Sequence, residues 1–326
     1  MSAGTEDAPT QQAISTVLPN FFLVGAMRAG TTTVAAALAD HPDVYFSPIK
    51  EPCYFSEEVR STAFAQWHRA RILDPEVYVR GDMAEPAHIA FVQDEATYRA
   101  LFRGWSGQPC IGEGSTEYLI SSVAAERIAE VAPDAKIVMI LRDPVARAYS
   151  EYLMYLSHGR IPEGFEAALL REAEGRASPI VPVLERYVSA GRYAAQIERY
   201  FARFPRENVL ILLFDELLSD PVGAVRRICA HIGARPELAP PIVGRQNASS
   251  LSIRPPVFGE VIAKSGVKPR LARLIPKSLK ETLKALPRAK PPQLPEDVGN
   301  HLRALFREDI LRQQDLIGRD LGAWLG

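Results

Sequence analysis

The first residues suited to chemistry form a turn rich in glycine and threonine, Gly25-Ala-Met-Arg-Ala-Gly-Thr-Thr32, followed by a third threonine. Its glycines have the GxxxxG spacing of a phosphate-binding P-loop, but Thr31 stands where nucleotide hydrolases have lysine. The missing lysine argues against hydrolysis of ATP or GTP. The backbone N–H groups, the threonine hydroxyls and the Arg28 guanidinium still predict a cradle for one terminal phosphate. The candidate contacts are Arg28, Ala29, Gly30, Thr31, Thr32 and Thr33.

The same turn also fits a simpler interpretation, an ordinary strand-to-helix turn in which glycine supplies a positive φ. The three threonines and Arg28 directly after an apolar run favour the phosphate cradle.

A second cationic position follows the most apolar run of the chain, residues 135–141. Arg142 ends this predicted strand, at the edge of a parallel sheet where ligands bind, and its guanidinium can fork onto phosphate oxygens. Ser150 lies on the predicted next helix and offers a hydroxyl. A surface pair of arginine and aspartate with a solvated serine is the alternative, and the loop at Arg28 favours the phosphate site.

Further polar residues cluster in two predicted loops. Lys50 and Glu51 lie in a loop that contains two prolines, and Glu113 and Tyr118 lie in a predicted strand end and turn at residues 111–118. We expect Glu113 and Tyr118 to face the same cleft and to shape the site for a second substrate. No pattern of metal ligands is present in the sequence, so no metal is expected.

Short apolar runs alternate with helical patterns, which predicts an α/β fold with a P-loop-type central parallel β-sheet flanked by helices in a single domain. The predicted strands are residues 20–25, 44–46, 135–141 and 208–214. The predicted helices are residues 34–39, 95–102, 123–131, 145–156, 192–204 and 221–232. Residues 74–92 are expected to be a loop over the cleft.

The two ends of the chain have a different character. Residues 1–17 are expected to be a disordered tail, and residues 18–326 form the domain. Within it, residues 235–298 are rich in proline and predict an irregular helical appendage. Residues 264–290 carry many lysines and arginines, which fit a solvated face or a basic rim for an anionic acceptor. The C-terminal residues 296–324 predict a helix that packs through Leu302, Leu305, Phe306, Ile310 and Leu316.

Composition excludes several classes of protein. The net charge of −1 over 326 residues gives no general attraction to nucleic acid. The three cysteines are far apart, which fits a reducing compartment. No apolar run is long enough to span a membrane, and the polar residues 1–13 lack the features of an export signal. We therefore expect a cytoplasmic protein without a transmembrane segment.

Several motifs together resemble the sulfotransferase family, especially bacterial members related to heparan-sulfate sulfotransferases. The turn at residues 25–32 resembles the family's 5′-phosphosulfate loop, and Leu141-Arg-Asp-Pro-Val-Ala-Arg-Ala-Tyr-Ser-Glu-Tyr152 resembles its 3′-phosphate motif. Lys50-Glu-Pro-Cys-Tyr-Phe55, Gly191-Arg-Tyr193 and Gly318-Arg-Asp-Leu-Gly-Ala-Trp-Leu325 are similar to further family segments. The likeness runs from about residue 19 to the end of the chain.

The resemblance implies a reaction and assigns roles. The donor is 3′-phosphoadenosine 5′-phosphosulfate, the product is adenosine 3′,5′-bisphosphate, and Arg142 and Ser150 hold the 3′-phosphate. Arg28, where the family often has lysine, and Lys50 neutralise the leaving group. Glu51 takes the proton of the acceptor, or alternatively only positions a cation. His158 is the reserve base.

The family loop often has histidine at the position of Cys53, so a role carried by that imidazole is in doubt in this chain. The acceptor is left open by the sequence. A carbohydrate, a lipid-linked sugar, a small natural product and a peptide all fit, and the oligomeric state is not predicted. Two other functions compete: a P-loop-like kinase or NTPase, and a non-catalytic nucleotide- or glycan-binding protein of the same fold.

Overall fold

Parallel strands form the centre of the protein. The computed structural model describes residues 17–59, 69, 72–157, 163–176, 186–241 and 291–326. The strands within these ranges are β1 (Phe21–Gly25), β2 (Val44–Phe46), β3 (Ile49–Lys50), β4 (Ala87–His88), β5 (Cys110–Gly114), β6 (Lys136–Leu141) and β7 (Val209–Leu213). Five of them form the main sheet in the order β2-β5-β1-β6-β7, and β3 and β4 form a separate parallel pair.

The order of the strands determines where a ligand can bind. After β1 the chain places β2 and β5 on one side, and it then crosses to place β6 and β7 on the other. The side of the sheet to which the chain adds strands therefore changes between β1 and β6. These two neighbouring strands run parallel. Open parallel sheets bind ligands at the carboxyl ends of strands at such a reversal. The segments that leave β1 and β6 contain Arg28 and Arg142.

Helices connect the strands. In the described residues they are α1 (Thr31–Ala39), α2 (Pro75–Arg80), α3 (Glu95–Ala100), α4 (Glu117–Ile120), α5 (Ala124–Val131), α6 (Pro144–Ser157), α7 (Phe165–Ala173), α8 (Tyr193–Phe201), α9 (Phe214–Ser219), α10 (Pro221–Ile232) and α11 (Glu296–Ile317). Helix α10 packs on α1, whereas α8 packs with α4, α5 and α11. The α/β class with a central parallel sheet flanked by helices is confirmed.

The two central strands carry most of the core. Every residue of β1 is buried, and β6 is buried except at its first residue. Strand β7 at the edge of the sheet is mostly half-buried. This difference explains why β1 and β6 have the continuous apolar sequences expected of strands covered on both faces.

One prediction of a loop was wrong in part. Residues 74–92 were expected to be a loop, but they contain α2 and β4. The side chain of Asp74 accepts a hydrogen bond from Glu76 N, and proline occupies the first turn of α2. Aspartate followed by proline is a helix-start signal, so the sequence did contain the evidence for α2. Strand β4 has only two residues, too few for an alternating pattern.

The ends of the chain differ from prediction at Val17, at Leu305 and in the length of the last helix, which was expected to reach residue 324 but ends at Ile317. Val17 was assigned to the tail, yet it is buried in the core. Helix α11 packs against α8 and α6 through the buried residues Leu302, Phe306 and Ile310, as predicted. Leu305 was expected to join this face but is 39% exposed. Residues 1–16 and the basic segment 264–290 lie outside the described residues.

Candidate active site

The loop after β1 turns sharply into α1. Gly30 occupies the N-cap of α1 with φ 85°, and Arg28 has φ 67°. A Cβ at Gly30 would lie 2.7 Å from Leu217 Cδ2, so any other residue there would force this side chain of α9 to shift. Arg28 has no such freedom, and a positive φ at a non-glycine residue is an uncommon conformation that occurs preferentially at functional sites.

The predicted phosphate contacts lie in this turn, at different depths. Ala29 and Thr31 are buried, whereas Arg28, Thr32 and Thr33 are half-buried at the start of α1. The N-terminus of a helix carries a partial positive charge and free N–H groups, which favours an anion at this position.

The structure brings Arg28, Arg142 and Ser150 together. Arg142 Nη1 donates a hydrogen bond to the carbonyl oxygen of Arg28 at 2.9 Å, and Arg28 Nε donates to Ser150 Oγ at 3.2 Å. Three segments that are distant in the sequence, the loop after β1, the end of β6 and the middle of α6, thus meet at one edge of the sheet. This agrees with the placement expected for two phosphate contacts in one crevice.

The electrostatics of this crevice favour a polyanion. Burial lowers the pKa values of Arg28 and Arg142, and the charge of Arg28 lowers that of Arg142 further. The buried pair of Arg147 and Glu151, with Nη1 and Oε2 2.6 Å apart, adds one charge of each sign. Glu151 also acts on Arg28, and Asp143 acts on Arg142. The three arginines of this group still outnumber its two carboxylates, so its net charge is positive and its guanidinium groups can fork onto phosphate oxygens.

Phe214 supports the second arginine. The guanidinium carbon of Arg142 lies 4.8 Å from the centre of the Phe214 ring, a cation–π contact. Phe214 directly follows β7 and was not predicted as a site residue from the sequence. Its position at the end of a neighbouring strand is the only signal that pointed to it.

Lys50 and Glu51 form an ion pair in the second loop. Lys50 Nζ lies 3.0 Å from Glu51 Oε1, and both side chains are 11% exposed. Thr116 Oγ1 donates to Glu51 Oε2 at 2.7 Å. Burial alone raises the pKa of Glu51, but the charges of Lys50 and His88 and the hydrogen bond from Thr116 outweigh it, and the pKa falls to about 2. Glu51 is thus a stable carboxylate whose two oxygens are both occupied.

His88 is a second residue that the sequence analysis missed. It lies opposite Lys50 in the pair of β3 and β4, and it is exposed. Its charge acts on Glu51. The two-residue strand that carries it gives no sequence signal. Cys53, the residue at the family's histidine position, is buried, and His158 lies outside the described residues.

Glu113 and Tyr118 are not on the wall of the cleft. Glu113 belongs to β5 rather than to a turn, and both residues have no exposed surface. Tyr118 Oη donates to Glu113 Oε1 at 2.6 Å. Glycines at 112 and 114 suggested a turn, but Gly112 is required inside the strand because a Cβ there would lie 2.0 Å from the Phe21 ring. Both side chains lie beneath the loop of Lys50 and Glu51.

The described ranges contain neither a metal-binding cluster nor a membrane-spanning helix. No three side chains of histidine, cysteine, aspartate or glutamate in those ranges are grouped so that they could hold a metal ion. No helix in those ranges is both long and apolar enough to cross a membrane.

Comparison with known proteins agrees with this arrangement. A profile described as the sulfotransferase family matches residues 19–237. The chain is similar to heparan sulfate glucosamine 3-O-sulfotransferase 3B1 of Mus musculus, with 26% identity over 219 residues, 67% of this chain and 47% of that protein. It is also similar to the human bifunctional heparan sulfate N-deacetylase/N-sulfotransferase 3, with 30% identity over 67% of this chain and 23% of that protein.

A solved structure covers more of the chain. The sulfotransferase from Alicyclobacillus acidocaldarius is 29% identical, with a TM-score of 0.69, and the match covers 94% of this chain and 99% of that one. The chain spans about half the length of the mouse relative.

Proposed function

The chain belongs to the sulfotransferase family, and from that premise we propose that it transfers a sulfuryl group from 3′-phosphoadenosine 5′-phosphosulfate to a hydroxyl or amine of an acceptor. The observation that carries the proposal is the contact of Arg28 with Ser150 and of Arg142 with the backbone of Arg28. These contacts put two guanidinium groups and a hydroxyl in one crevice, at the reversal point of the sheet.

The donor fits this crevice because it has phosphates at two positions. The loop of residues 25–33 and the N-terminus of α1 suit the 5′-phosphosulfate. Arg142 and Ser150 suit the 3′-phosphate, which distinguishes this donor from ATP. Arg28 donates to Ser150 Oγ, and a bound phosphate would compete with that hydroxyl for the guanidinium.

Sulfuryl transfer, like phosphoryl transfer, places charge on the bridging oxygen of the leaving group. Arg28 and Lys50 neutralise that charge in our proposal. Arginine acts there only as a fixed cation, whereas an ammonium group can also donate a proton. Removal of one such stabilising donor typically slows an enzyme by about 10²- to 10³-fold.

Glu51 is the proposed acceptor-side carboxylate. While Lys50 is paired with it, its pKa of about 2 makes it a weak base. When Lys50 turns to the leaving group, that stabilisation of the carboxylate is lost and the basicity of Glu51 rises. We propose that this exchange of partners lets Glu51 take the proton of the acceptor. If Glu51 only positions Lys50, its carboxylate holds the ammonium and another group takes the proton.

The acceptor and the location are further parts of the proposal. Two relatives are named for heparan sulfate, so an amino-sugar carbohydrate is the acceptor class to test first, before lipid-linked sugars, small natural products and peptides. Residence in the cytoplasm is supported by the three cysteines, which lie far apart in the sequence and form no paired motif.

The test is transfer of labelled sulfate to a panel of these acceptors, together with calorimetry of adenosine 3′,5′-bisphosphate binding. Lys50→Ala and Glu51→Gln should lose transfer by about 10²-fold or more and keep nucleotide affinity. Turnover of magnesium ATP without sulfate transfer would indicate a kinase or NTPase. Nucleotide binding with no transfer to any acceptor would indicate a binding protein.

A further inference from the structure

A buried carboxylate accepts hydrogen bonds from three hydroxyl groups beneath the loop of residues 50–55, which is called the catalytic loop below because it carries Lys50 and Glu51. Glu113 Oε1 accepts from Tyr98 Oη of α3 at 3.1 Å and from Tyr118 Oη of α4 at 2.6 Å. Glu113 Oε2 accepts from Ser115 Oγ at 2.9 Å. Glu113 has no exposed surface. The three hydroxyl groups therefore do not serve to neutralise a charge at the protein surface.

Two of the three hydroxyls also accept hydrogen bonds from the catalytic loop. Ser115 Oγ accepts from Cys53 N at 3.0 Å, and Tyr118 Oη accepts from Phe55 N at 3.4 Å. Because each hydroxyl gives its proton to Glu113, its lone pairs point away from the carboxylate and toward the loop. The carboxylate therefore fixes the direction in which the two hydroxyls accept.

The loop needs such support because its backbone is strained. Glu51 has φ 76° and Cys53 has φ 60°, conformations that persist only where the surroundings hold them. Glu51 N donates to the carbonyl oxygen of Gly114 at 3.0 Å. Segment 113–118 thus holds the loop on both sides of Pro52.

We propose that Glu113 is a positioning residue, which orients the hydroxyls of Ser115 and Tyr118 so that they hold Lys50 and Glu51 in the geometry for transfer. The proposal rests on the proposed function. Above its pKa of about 7 Glu113 is ionised and only accepts, as the three donors require. A glutamine at this position presents an NH2 group to one side and cannot accept from all three.

Tyr98 supplies a matched control. Tyr98 and Tyr118 donate to the same oxygen of Glu113 and both are buried, but only Tyr118 is bonded to the loop backbone through Phe55 N. Tyr98→Phe and Tyr118→Phe each remove one hydroxyl from the carboxylate. A purely structural role of the cluster predicts similar losses, whereas the positioning role predicts that only Tyr118→Phe and Ser115→Ala impair transfer.

The experiment measures kcat, KM for the acceptor, and the Kd of adenosine 3′,5′-bisphosphate in Tyr98→Phe, Tyr118→Phe, Ser115→Ala and Glu113→Gln. We expect kcat to fall by about 10- to 100-fold in the last three, the range that displaced catalytic groups produce, with Kd within about twofold of the wild type because the nucleotide grip lies elsewhere. Tyr98→Phe should stay within about threefold, since its hydroxyl holds no loop amide. Equal losses in Tyr98→Phe and Tyr118→Phe, or a parallel loss of nucleotide affinity, would overturn the proposal.

Amide hydrogen exchange gives a readout that does not need an acceptor. Exchange should accelerate by about tenfold or more at Phe55 in Tyr118→Phe, at Cys53 in Ser115→Ala and at both amides in Glu113→Gln. It should stay near the wild-type rate in Tyr98→Phe. Unchanged exchange in Tyr118→Phe contradicts the positioning role even when transfer is absent. A wild-type protein that transfers no sulfate contradicts the proposed function alone. Because Tyr118→Phe and Ser115→Ala remove single hydroxyls, they test the proposal even if Glu113→Gln does not fold.

Discussion

At the scale of single residues, Arg142 separates this site from one that binds simple adenine nucleotides. Its guanidinium lies over the Phe214 ring and bonds to the loop backbone. We expect Arg142→Ala to weaken binding of adenosine 3′,5′-bisphosphate by about 10- to 100-fold, the loss of one or two charge-assisted hydrogen bonds. Binding of adenosine 5′-monophosphate should change by less than about threefold, since that ligand lacks the 3′-phosphate.

Calorimetry with the two nucleotides checks this prediction. Arg226→Ala is the matched control, because it removes one charge from an exposed position of α10 and should leave both affinities unchanged. Equal losses for the two ligands in Arg142→Ala would refute the assignment of this arginine to the 3′-phosphate.

Two carboxylates of the same region should affect stability in different pH ranges. Burial raises the pKa of Glu113 from 4.5 to about 7, opposed by its hydroxyl donors Tyr118, Ser115 and Tyr98 and reinforced by the charge of Glu51. The folded protein therefore holds this proton more tightly than the unfolded chain. The contribution of Glu113 to the free energy of unfolding decreases as the pH rises from about 4.5 to about 7, and the loss is complete above that range.

The difference in unfolding free energy between the wild type and Glu113→Gln should follow this slope in urea titrations. Glu51 has its pKa lowered from 4.5 to about 2, so its stabilising effect is present above pH 4.5 and is lost as the pH falls through about 2. Glu51→Gln should therefore change the acid limb. Because it also removes the charge that reinforces the raised pKa of Glu113, it should narrow but not abolish the slope that belongs to Glu113. A wild type and a Glu113→Gln variant with parallel curves over that range would contradict the assignment.

At the scale of elements, Gly30 is the point at which the loop of residues 25–33 packs closely against α9. Gly30 and Gly233 both have positive φ, 85° and 88°. A Cβ at Gly30 would lie 2.7 Å from Leu217 and 3.1 Å from Phe214, whereas no described atom comes within 4 Å of a Cβ at Gly233. An alanine at either position would thus have similar backbone strain, but only at Gly30 would its Cβ clash with neighbouring side chains.

We expect Gly233→Ala to lower the free energy of unfolding by about 1–2 kcal/mol, the left-handed strain of one residue. Gly30→Ala should lose about 1–3 kcal/mol more through overpacking, and it should also weaken nucleotide binding because Phe214 supports Arg142. Urea unfolding and calorimetry measure both effects. A Gly30→Ala variant no less stable than Gly233→Ala would show that α9 moves away without cost.

The elements also show which structural features the sequence predicts. Strands β1 and β6 have continuous apolar sequences and were predicted within one residue at each end. Helix α10, with Asp220 accepting from Gly223 N at its start and Gly233 at its end, was predicted at its observed bounds. Strand β5 was misjudged because its glycines resemble a turn, whereas their lack of a side chain makes room for the Phe21 ring. A tertiary contact of this kind has no local signal.

At the scale of the whole molecule, the site is assembled by the order of the strands. Arg28 and Arg142 each follow a strand, and the sequence placed both at one edge of a parallel sheet, whereas it placed Lys50 only in a loop. The sequence could not place Glu51 against Thr116 or Tyr98 against Glu113, because these pairs are separated by 65 and 15 residues and depend on loop conformation. The types of the site residues and the ends of the strands were therefore predictable, whereas the contacts that hold the site residues in place were not.

The C-terminal helix belongs to this assembly although the family profile ends at residue 237. Phe306 of α11 is fully buried, and a Cβ at Gly191 would lie 2.9 Å from its ring and 3.1 Å from Pro144, the first residue of α6. Helix α6 carries Ser150, so α11 stabilises the helix that provides part of the nucleotide site. Leu305 is the neighbouring residue on α11 and is 39% exposed.

We expect Phe306→Ala to lower the free energy of unfolding by about 3–5 kcal/mol, as deletion of a buried aromatic ring does. Leu305→Ala should lower it by less than about 1 kcal/mol, since its side chain already contacts water. In Phe306→Ala, nucleotide affinity should also fall, because the start of α6 loses its packing partner. Urea unfolding and calorimetry on the full chain measure both quantities. Equal destabilisation by the two substitutions would mean that α11 does not pack on α6 and α8 through this face, and that the segment beyond the family profile contributes nothing to the nucleotide site.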